Sequence, residues 1–298
     1  MIYLDPLTNA TDKTAIADSN FEKLDALMVT SGSGSGVSGN TRNLSMQSTS
    51  TTAGLLVSDE VVLKTTSGTS LVVRNVSLTI DITVGVALNG YETGAARAAS
   101  HWYYVWLITD DGTNVRFVLE DAGAGDGALP GGPDLTGAAF AGYTYMALMG
   151  QIRLNATGSG EIVPFMQRDR VVWFDEVNIF TAKLATAANT YQLLSGAELT
   201  AFRAAIPPTA GRCSGTMGNS TNTMAAITIA ACSAAGTLDT AQLGAQTVTG
   251  AQGAGVYNSF WIAGPFDAPV RGGGSRNIQW KSLNTTVNNR LNVSSYTF

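Results

Sequence analysis

The sequence is poor in charge, and this narrows the classes of protein to which it can belong. Charged residues make up 13% of the 298 residues, and the formal net charge is -5, whereas soluble domains average about 25% charged residues. Low charge together with 45% hydrophobic residues argues against a disordered chain. The acidic balance and the scattered Lys and Arg argue against binding to nucleic acid. The 33 glycines and the many hydroxyl side chains are typical of short strands joined by turns.

Cysteine and histidine are also scarce, which limits metal and redox chemistry. With only two cysteines and one histidine, these residue types alone cannot supply the four ligands of a structural zinc site. We therefore expect no metal and no other cofactor. An oxygen-ligated calcium or magnesium site stays open, although the loop aspartates lack EF-hand spacing. These aspartates are Asp110, Asp111, Asp126 and Asp134.

The two cysteines, Cys213 and Cys232, would face each other if they lay on the two arms of one hairpin. Residues 218–222 have a composition that favours turns, and a turn at 219–223 would place the two thiols roughly opposite each other. Thiols are reduced in a cytosol. The sequence therefore allows a disulfide that forms after the protein leaves the cell.

No targeting or membrane-spanning segment is visible in the sequence. Residues 1–6 contain neither the basic region nor the apolar region of a signal peptide. No apolar run is long enough to cross a bilayer. We expect synthesis in a cytoplasm without export, and no insertion into a membrane.

The first 40 residues have the pattern of a docking segment. A helix is predicted from about residue 12 to residue 28, and its apolar stripe has heptad spacing. Such a stripe either joins copies of the chain or packs on a partner or on the chain's own domain. A Gly/Ser linker at 31–39 would decouple this segment from the body. The stripe consists of Ala17, Phe21, Leu24 and Met28.

Most of the remaining chain has strand signals. The run 76–82 alternates apolar and polar residues, which predicts a strand with one buried face. Apolar runs at 102–109 and 115–119 flank the sequence Asp-Asp-Gly-Thr, which predicts a hairpin. The glycine-rich stretch 121–136 predicts a long surface loop.

One helix interrupts the strands, and it divides the chain. Ser195 and Glu198 have the spacing of a capping box, and Pro207 and Pro208 would end the helix. We predict a mainly β fold: a short N-terminal helix and linker, then two β-sandwich-like domains joined by a helical connector. The predicted segments are the docking arm, helix and linker at 1–40, the first β domain at 41–175, the connector at 176–208 and the C-terminal β domain at 209–298.

The residues that catalysis would need are better explained by structural roles. A glycosidase needs paired carboxylates in a groove, but carboxylates in glycine-rich segments are more often turn formers. His101 is the only histidine that could serve in a Ser-His-Asp triad, and we interpret it as a packed or surface histidine. We therefore expect no catalytic residues and no enzyme. The carboxylates considered are Glu120, Asp121, Asp126, Asp175 and Glu176.

An aromatic strand is predicted at 102–106, and its rings alternate between its two faces. A sugar-stacking platform would use such rings. A strand that is buried on both sides explains the same pattern, and we favour this interpretation.

Several stretches, taken in their order along the chain, resemble the C-terminal regions of fibre and tail proteins of tailed bacteriophages. The resemblance extends over about 55–174 and 210–298, and it implies a structural protein of the virion that forms a homotrimer. The chain has no shaft repeat and only a short docking segment, so a short fibre or spike on the capsid or baseplate stays open. The stretches are Leu56–Leu63, His101–Ile108, Tyr143–Gly150, Phe165–Arg170, Cys213–Thr216 and Val293–Phe298.

The resemblance implies a tail fibre or spike on the virion surface that attaches to a host cell. Its partners would be two further copies of the chain, other virion proteins at the N-terminal segment, and a host cell-surface polysaccharide or protein. A head fibre or capsid decoration protein is the alternative, and a polysaccharide depolymerase is a more distant one.

The predicted host contact is a loop at 264–276, near the end of the C-terminal domain. Loops at one end of a rigid β scaffold commonly carry binding specificity. This stretch combines an aromatic ring, an acid and two arginines among glycines and prolines. The candidate receptor-binding residues are Phe266, Asp267, Arg271 and Arg276.

Overall fold

The computed structural model describes residues 39–124, 127–220, 225–233, 235–250, 261–271 and 275–298. The chain is mainly β, as the sequence predicts, with 53% of the described residues in strands. The predicted N-terminal helix, with Ala17, Phe21, Leu24 and Met28, lies outside the described residues. The strands are β1 (Thr41–Arg42), β2 (Ser45–Ser48), β3 (Ala53–Lys64), β4 (Ser70–Asp81), β5 (Gly90–Tyr91), β6 (His101–Thr109), β7 (Val115–Ala124), β8 (Tyr145–Arg153), β9 (Phe165–Arg168), β10 (Val171–Lys183), β11 (Gln192–Leu193), β12 (Arg212–Ser220), β13 (Ala225–Ala231), β14 (Gln246–Gly250), β15 (Trp261–Pro269), β16 (Ile278–Ser282) and β17 (Asn288–Thr297), and the α-helix α1 is Gly196–Ala205.

The strands form two sheets. The larger has 13 strands in the order β15-β12-β17-β10-β9-β2-β3-β8-β6-β7-β5, with β1 and β4 also paired to β3. The smaller has the order β11-β16-β13-β14. Strand β10 pairs with the terminal strand β17 on one side and with β9 on the other. Hydrogen-bonded strands therefore connect the two halves of the sequence.

Strand β6 lies between two hydrophobic cores. The first core contains side chains of β2, β3, β4, β7 and β8, and the second contains side chains of β10, α1, β12, β13, β15, β16 and β17. Because side chains alternate along a strand, β6 contributes to both. The prediction that 102–106 is buried on both sides is confirmed. Trp102, Tyr104, Trp106 and Ile108 point into the second core, and Tyr103, Val105 and Leu107 point into the first.

The hairpin of β6 and β7 has the predicted turn. Thr109 pairs with Val115, and Gly112 adopts a φ of 94°, which favours glycine. The carboxylate of Asp110 accepts hydrogen bonds from the Asp111 backbone at 2.7 Å and from Asn114 Nδ2 at 2.7 Å. The alternation predicted for 76–82 is also present, since Val76, Leu78 and Ile80 face inward between the exposed Ser77 and Thr79.

The predicted late helix is present as α1, and the capping box forms at its start. The backbone N–H of Ser195 donates to Glu198 Oε2 at 3.4 Å, and the helix ends at Ala205, before the two prolines. Phe202 is fully buried on the face that meets the sheet. The predicted connector at 176–208 is helical only here, because residues 176–183 continue β10.

Among the residues that the structure describes, no helix combines the length and the apolar character that a membrane span requires.

Candidate functional site

Residues 264–269 of the stretch predicted as a contact loop lie in strand β15, which corrects the sequence prediction for this part of the stretch. β15 pairs with β12 along its whole length, from Arg212 opposite Pro269 to Ser220 opposite Trp261. The prolines that suggested a loop are tolerated because β15 is an edge strand of the large sheet. Gly264 lies where a Cβ atom would approach Val248 Cγ2 to 2.8 Å, so this glycine permits close packing. Phe266 is 3% exposed and belongs to the second core, not to a contact surface.

Arg276 is fully buried, so it is not a receptor-binding residue. Its Nε donates to the carbonyl of Ile206, and its Nη2 donates to the carbonyl of Arg203 at 2.8 Å. The carbonyls at a helix C-terminus have no partner within the helix and carry partial negative charge. Arg276 therefore holds the end of α1 against the second core.

Two of the four predicted contact residues do lie at the surface. Asp267 accepts hydrogen bonds from Arg212 Nη2 at 2.8 Å and from Ser214 Oγ at 3.1 Å, and these hydrogen bonds, with Arg212 the largest cause, hold the pKa of Asp267 below its usual value. Arg271 Nη1 lies 3.5 Å from Asp239 Oδ2. We call these surface residues the polar cluster. It consists of two ion pairs that share no residue, Arg212 with Asp267 and Arg271 with Asp239, and of Ser214, which binds Asp267.

Both cysteines are free and buried, so the predicted disulfide is absent. Cys213 lies in β12, which pairs with β15 and β17, whereas Cys232 follows β13 in the other sheet. The two strands do not form the hairpin that the pairing required. The Sγ of Cys232 donates to the carbonyl of Asn277 at 2.9 Å. Burial raises the pKa of both thiols, which keeps them protonated and unreactive.

Two glutamates, Glu120 in β7 and Glu92 just after β5, fix the backbone of residues 131–134. Glu120 accepts from Trp106 Nε1 at 2.6 Å and from the Gly131 backbone at 2.8 Å. Glu92 accepts from the Asp134 backbone at 2.6 Å. Burial is the largest cause that raises the pKa of both glutamates. The predicted surface loop thus begins only after β7, and Glu120 and Glu92 hold it in place.

This burial predicts a pH dependence of stability. A carboxyl whose pKa is raised in the folded state contributes stability that is present below its ordinary value of 4.5 and is lost as pH rises through the raised value. We expect Glu120→Gln to remove this loss, so that its free energy of unfolding falls less than that of the wild type between pH 4.5 and 7. Urea denaturation at several pH values measures this difference in slope, and identical pH dependences of the two proteins would disprove the prediction.

Two further acidic candidates, Asp121 and Glu176, have structural partners as well, whereas Asp126 lies outside the described residues. His101 Nδ1 lies 2.9 Å from Asp121 Oδ1, at the start of β6. Glu176 accepts from Thr216 Oγ1 at 2.6 Å and from Asn292 Nδ2 at 2.8 Å. Of the aspartates considered for an oxygen-ligated metal, Asp134 accepts from the Thr136 backbone at 2.9 Å, as a turn former does. In the described part of the chain, no three acidic, histidine or cysteine residues are grouped as metal ligands would be.

The structure contains a cavity of about 320 Å³ that the sequence did not reveal. We call it the interface cavity, because β6 and β8 supply one side and β10, α1 and β17 supply the other. Ala156 and Pro164 line it and are exposed, so it opens to solvent on their side. Its aromatic lining residues are Trp102, Phe165, Phe174 and Tyr296.

The aromatic rings of the interface cavity pack on one another. Trp102 meets Tyr296 edge to face with centroids 6.1 Å apart, and Phe174 lies 5.9 Å from Tyr296. Trp102 Nε1 donates to the carbonyl of Arg203 at 3.2 Å, which fixes the indole on the end of α1. These three rings belong to the second core but come from β6, β10 and β17, and this explains why no single sequence segment predicted the wall.

Two polar side chains line the same cavity. The guanidinium of Arg153 lies 5.6 Å from the centroid of the Trp102 ring and donates to the carbonyl of Ser100. Gln151 is 2% exposed, and its Oε1 accepts from Thr209 Oγ1 at 2.6 Å. Its Nε2 has no partner with hydrogen-bond geometry, although Gln151 is close enough to Tyr296 to oppose slightly the burial that raises the pKa of that phenol.

A scan against protein-family models and a search of curated proteins gave no match to this chain.

Proposed function

We propose that this chain is a structural protein of a bacteriophage-like particle, a homotrimeric tail fibre or spike of two β-sandwich-like domains that attaches the particle to a host surface. It is made in the host cytoplasm and resides on the virion surface, where the N-terminal segment docks it to other virion proteins. It has no catalytic role.

The observation that carries this proposal is how the acidic side chains are used. Two of the carboxylates that a glycan depolymerase could use are engaged in fixing backbone and strands: Glu120 binds Gly131 and Trp106, and Glu176 binds Thr216 and Asn292. A mainly β scaffold that exposes polar side chains is suited to adhesion, where function depends on rigid presentation of surface groups.

The polar cluster is the surface that we propose for the first contact with the host. Asp267 and Arg271 have side chains that are 51% and 41% exposed, and both lie in the C-terminal module. Three copies in one trimer would add weak single contacts through avidity.

We expect the double variant Asp267→Ala, Arg271→Ala to bind host cells about tenfold or more weakly than the wild type, because multivalent attachment amplifies the loss of each contact. The measurement is binding of the fluorescently labelled full-length chain to cells that the particle infects. The stability of the variant should change little, since exposed ion pairs contribute about 0–1 kcal/mol.

A matched control is Arg74→Ala, which removes the exposed ion pair of Arg74 with Glu60, 3.0 Å apart, on β3 and β4. This variant should bind like the wild type. Equal binding of the double variant and the wild type would reject the polar cluster as the contact, and release of soluble glycan from the cells would favour the depolymerase instead. Light scattering on the purified chain tests the trimer.

A further inference from the structure

The interface cavity contains a positive charge that has no acidic partner among the residues that the structure describes. Arg153 donates to the carbonyl of Ser100 and lies over the Trp102 ring, but no carboxylate of the described residues forms an ion pair with it. Burial lowers the pKa of Arg153 to about 10, and no acidic group offsets this effect. A buried charge is costly unless it is paired, so the site favours an anionic occupant.

A second, independent group points into the same space. The side chain of Gln151 lines the cavity and is almost fully buried, and its Nε2 makes no hydrogen bond of ordinary geometry, although Gln151 interacts with the phenol of Tyr296, whose pKa it lowers. Natural structures rarely leave a buried donor without a well-formed hydrogen bond. Together, Arg153 and Gln151 offer hydrogen-bond donors only, which fits a ligand rich in acceptor oxygens.

The rest of the lining is aromatic and apolar. Trp102, Phe174 and Tyr296 pack edge to face or tilted, so they present both ring faces and ring edges to the cavity. Aromatic surfaces suit ligands with one apolar face and polar edges. The volume of about 320 Å³ lies at the lower end of the range of about 300–1,000 Å³ for small-ligand sites, and it admits one ring rather than a long chain.

We propose that the interface cavity binds a carboxylate-bearing sugar residue of a host surface polysaccharide, with the carboxylate on Arg153 and a ring oxygen or hydroxyl on Gln151. This inference rests on the proposed attachment function, since it names the ligand class of an adhesin. The planar guanidinium binds a carboxylate through two parallel hydrogen bonds. The aromatic wall takes the apolar face of the sugar ring.

The test is isothermal titration calorimetry of the full-length chain with D-glucuronate, D-galacturonate and D-glucose. We expect saturable binding of at least one uronate, weakening with salt, and no measurable binding of glucose. Arg153→Gln should weaken uronate binding about ten- to a hundredfold, because a charge-assisted hydrogen bond contributes about 1.5–3 kcal/mol. Circular dichroism checks that the variant is folded.

Arg116→Gln is the matched control. Arg116 also donates to a backbone carbonyl, that of Val115 at 2.9 Å, but it does not line the cavity, so its loss should leave uronate binding unchanged. Equal affinity for glucose and the uronates, or no saturable binding of any of the three, overturns the proposal even if the Arg153 variant fails to fold. Uronate binding without any attachment to cells would instead support the cavity and reject the proposed function.

Discussion

Arg276→Ala is expected to lower the free energy of unfolding by about 3–5 kcal/mol, the largest effect of any arginine substitution considered. The change removes the donor to the carbonyl of Ile206 and one of the two donors to the carbonyl of Arg203, which keeps its hydrogen bond from Trp102 Nε1. A buried acceptor without a partner costs about 1–3 kcal/mol, and the lost side chain leaves a void in the second core. The variant should therefore lose host attachment because the end of α1 loses its support.

The control is Arg271→Ala in the same stretch of sequence. Its guanidinium is 41% exposed and lies 3.5 Å from Asp239, so its loss should cost about 1 kcal/mol or less. Urea denaturation followed by far-UV circular dichroism separates the two variants. Equal stabilities would show that Arg276 is a surface residue, as the sequence alone suggested.

Leu107→Ala and Ile108→Ala are each expected to lower the urea midpoint of a single unfolding transition that both cores share, although the two side chains point into different cores. Both residues are fully buried in β6, and truncation of a buried Leu or Ile costs about 2–5 kcal/mol. Because the backbone of β6 belongs to both cores, loss of packing on either face should destabilise the other core as well. Tryptophan fluorescence and circular dichroism should give coincident urea transitions for each variant.

Leu129→Ala is the matched control, since Leu129 is 59% exposed and should change the free energy of unfolding by about 0.5 kcal/mol or less. Two separate transitions, with Leu107→Ala lowering one and Ile108→Ala lowering the other, would contradict the role of β6. That result would mean that the two cores fold as independent domains.

Features with a local cause were predicted from the sequence. The turn between β6 and β7 depends on Asp110 and Gly112, which are adjacent in sequence to the strands they join. The start of α1 depends on Ser195 and Glu198, three residues apart. In each case the interacting groups lie within a few residues, so composition and spacing were sufficient.

Features that depend on distant partners were missed. Gly264 and the neighbouring prolines signalled a loop, yet the edge position of β15 tolerates prolines and the glycine makes room for Val248. Arg276 was read as exposed because its partners, the carbonyls of α1, lie 70 and 73 residues away in sequence. The cysteine pairing failed for the same reason, since β12 pairs with β15 and β17 rather than with β13.

The interface cavity was beyond sequence reasoning as well. Its walls come from β6, β8, β10, α1 and β17, and only the folded chain brings them together. The aromatic signal at 102–106 predicted either a buried strand or a sugar-stacking platform. The buried strand is confirmed, since Trp102 is 3% exposed, and the same residue lines the cavity, for which ligand binding is our proposal.

The most direct test of the attachment role is competition between the purified full-length chain and intact particles for host cells. Cells are first incubated with saturating protein, and the rate at which particles adsorb is then measured. The proposed role predicts a much slower adsorption, with no loss of cell-surface glycan. Adsorption at the unchanged rate, with the protein folded and in excess, would contradict it.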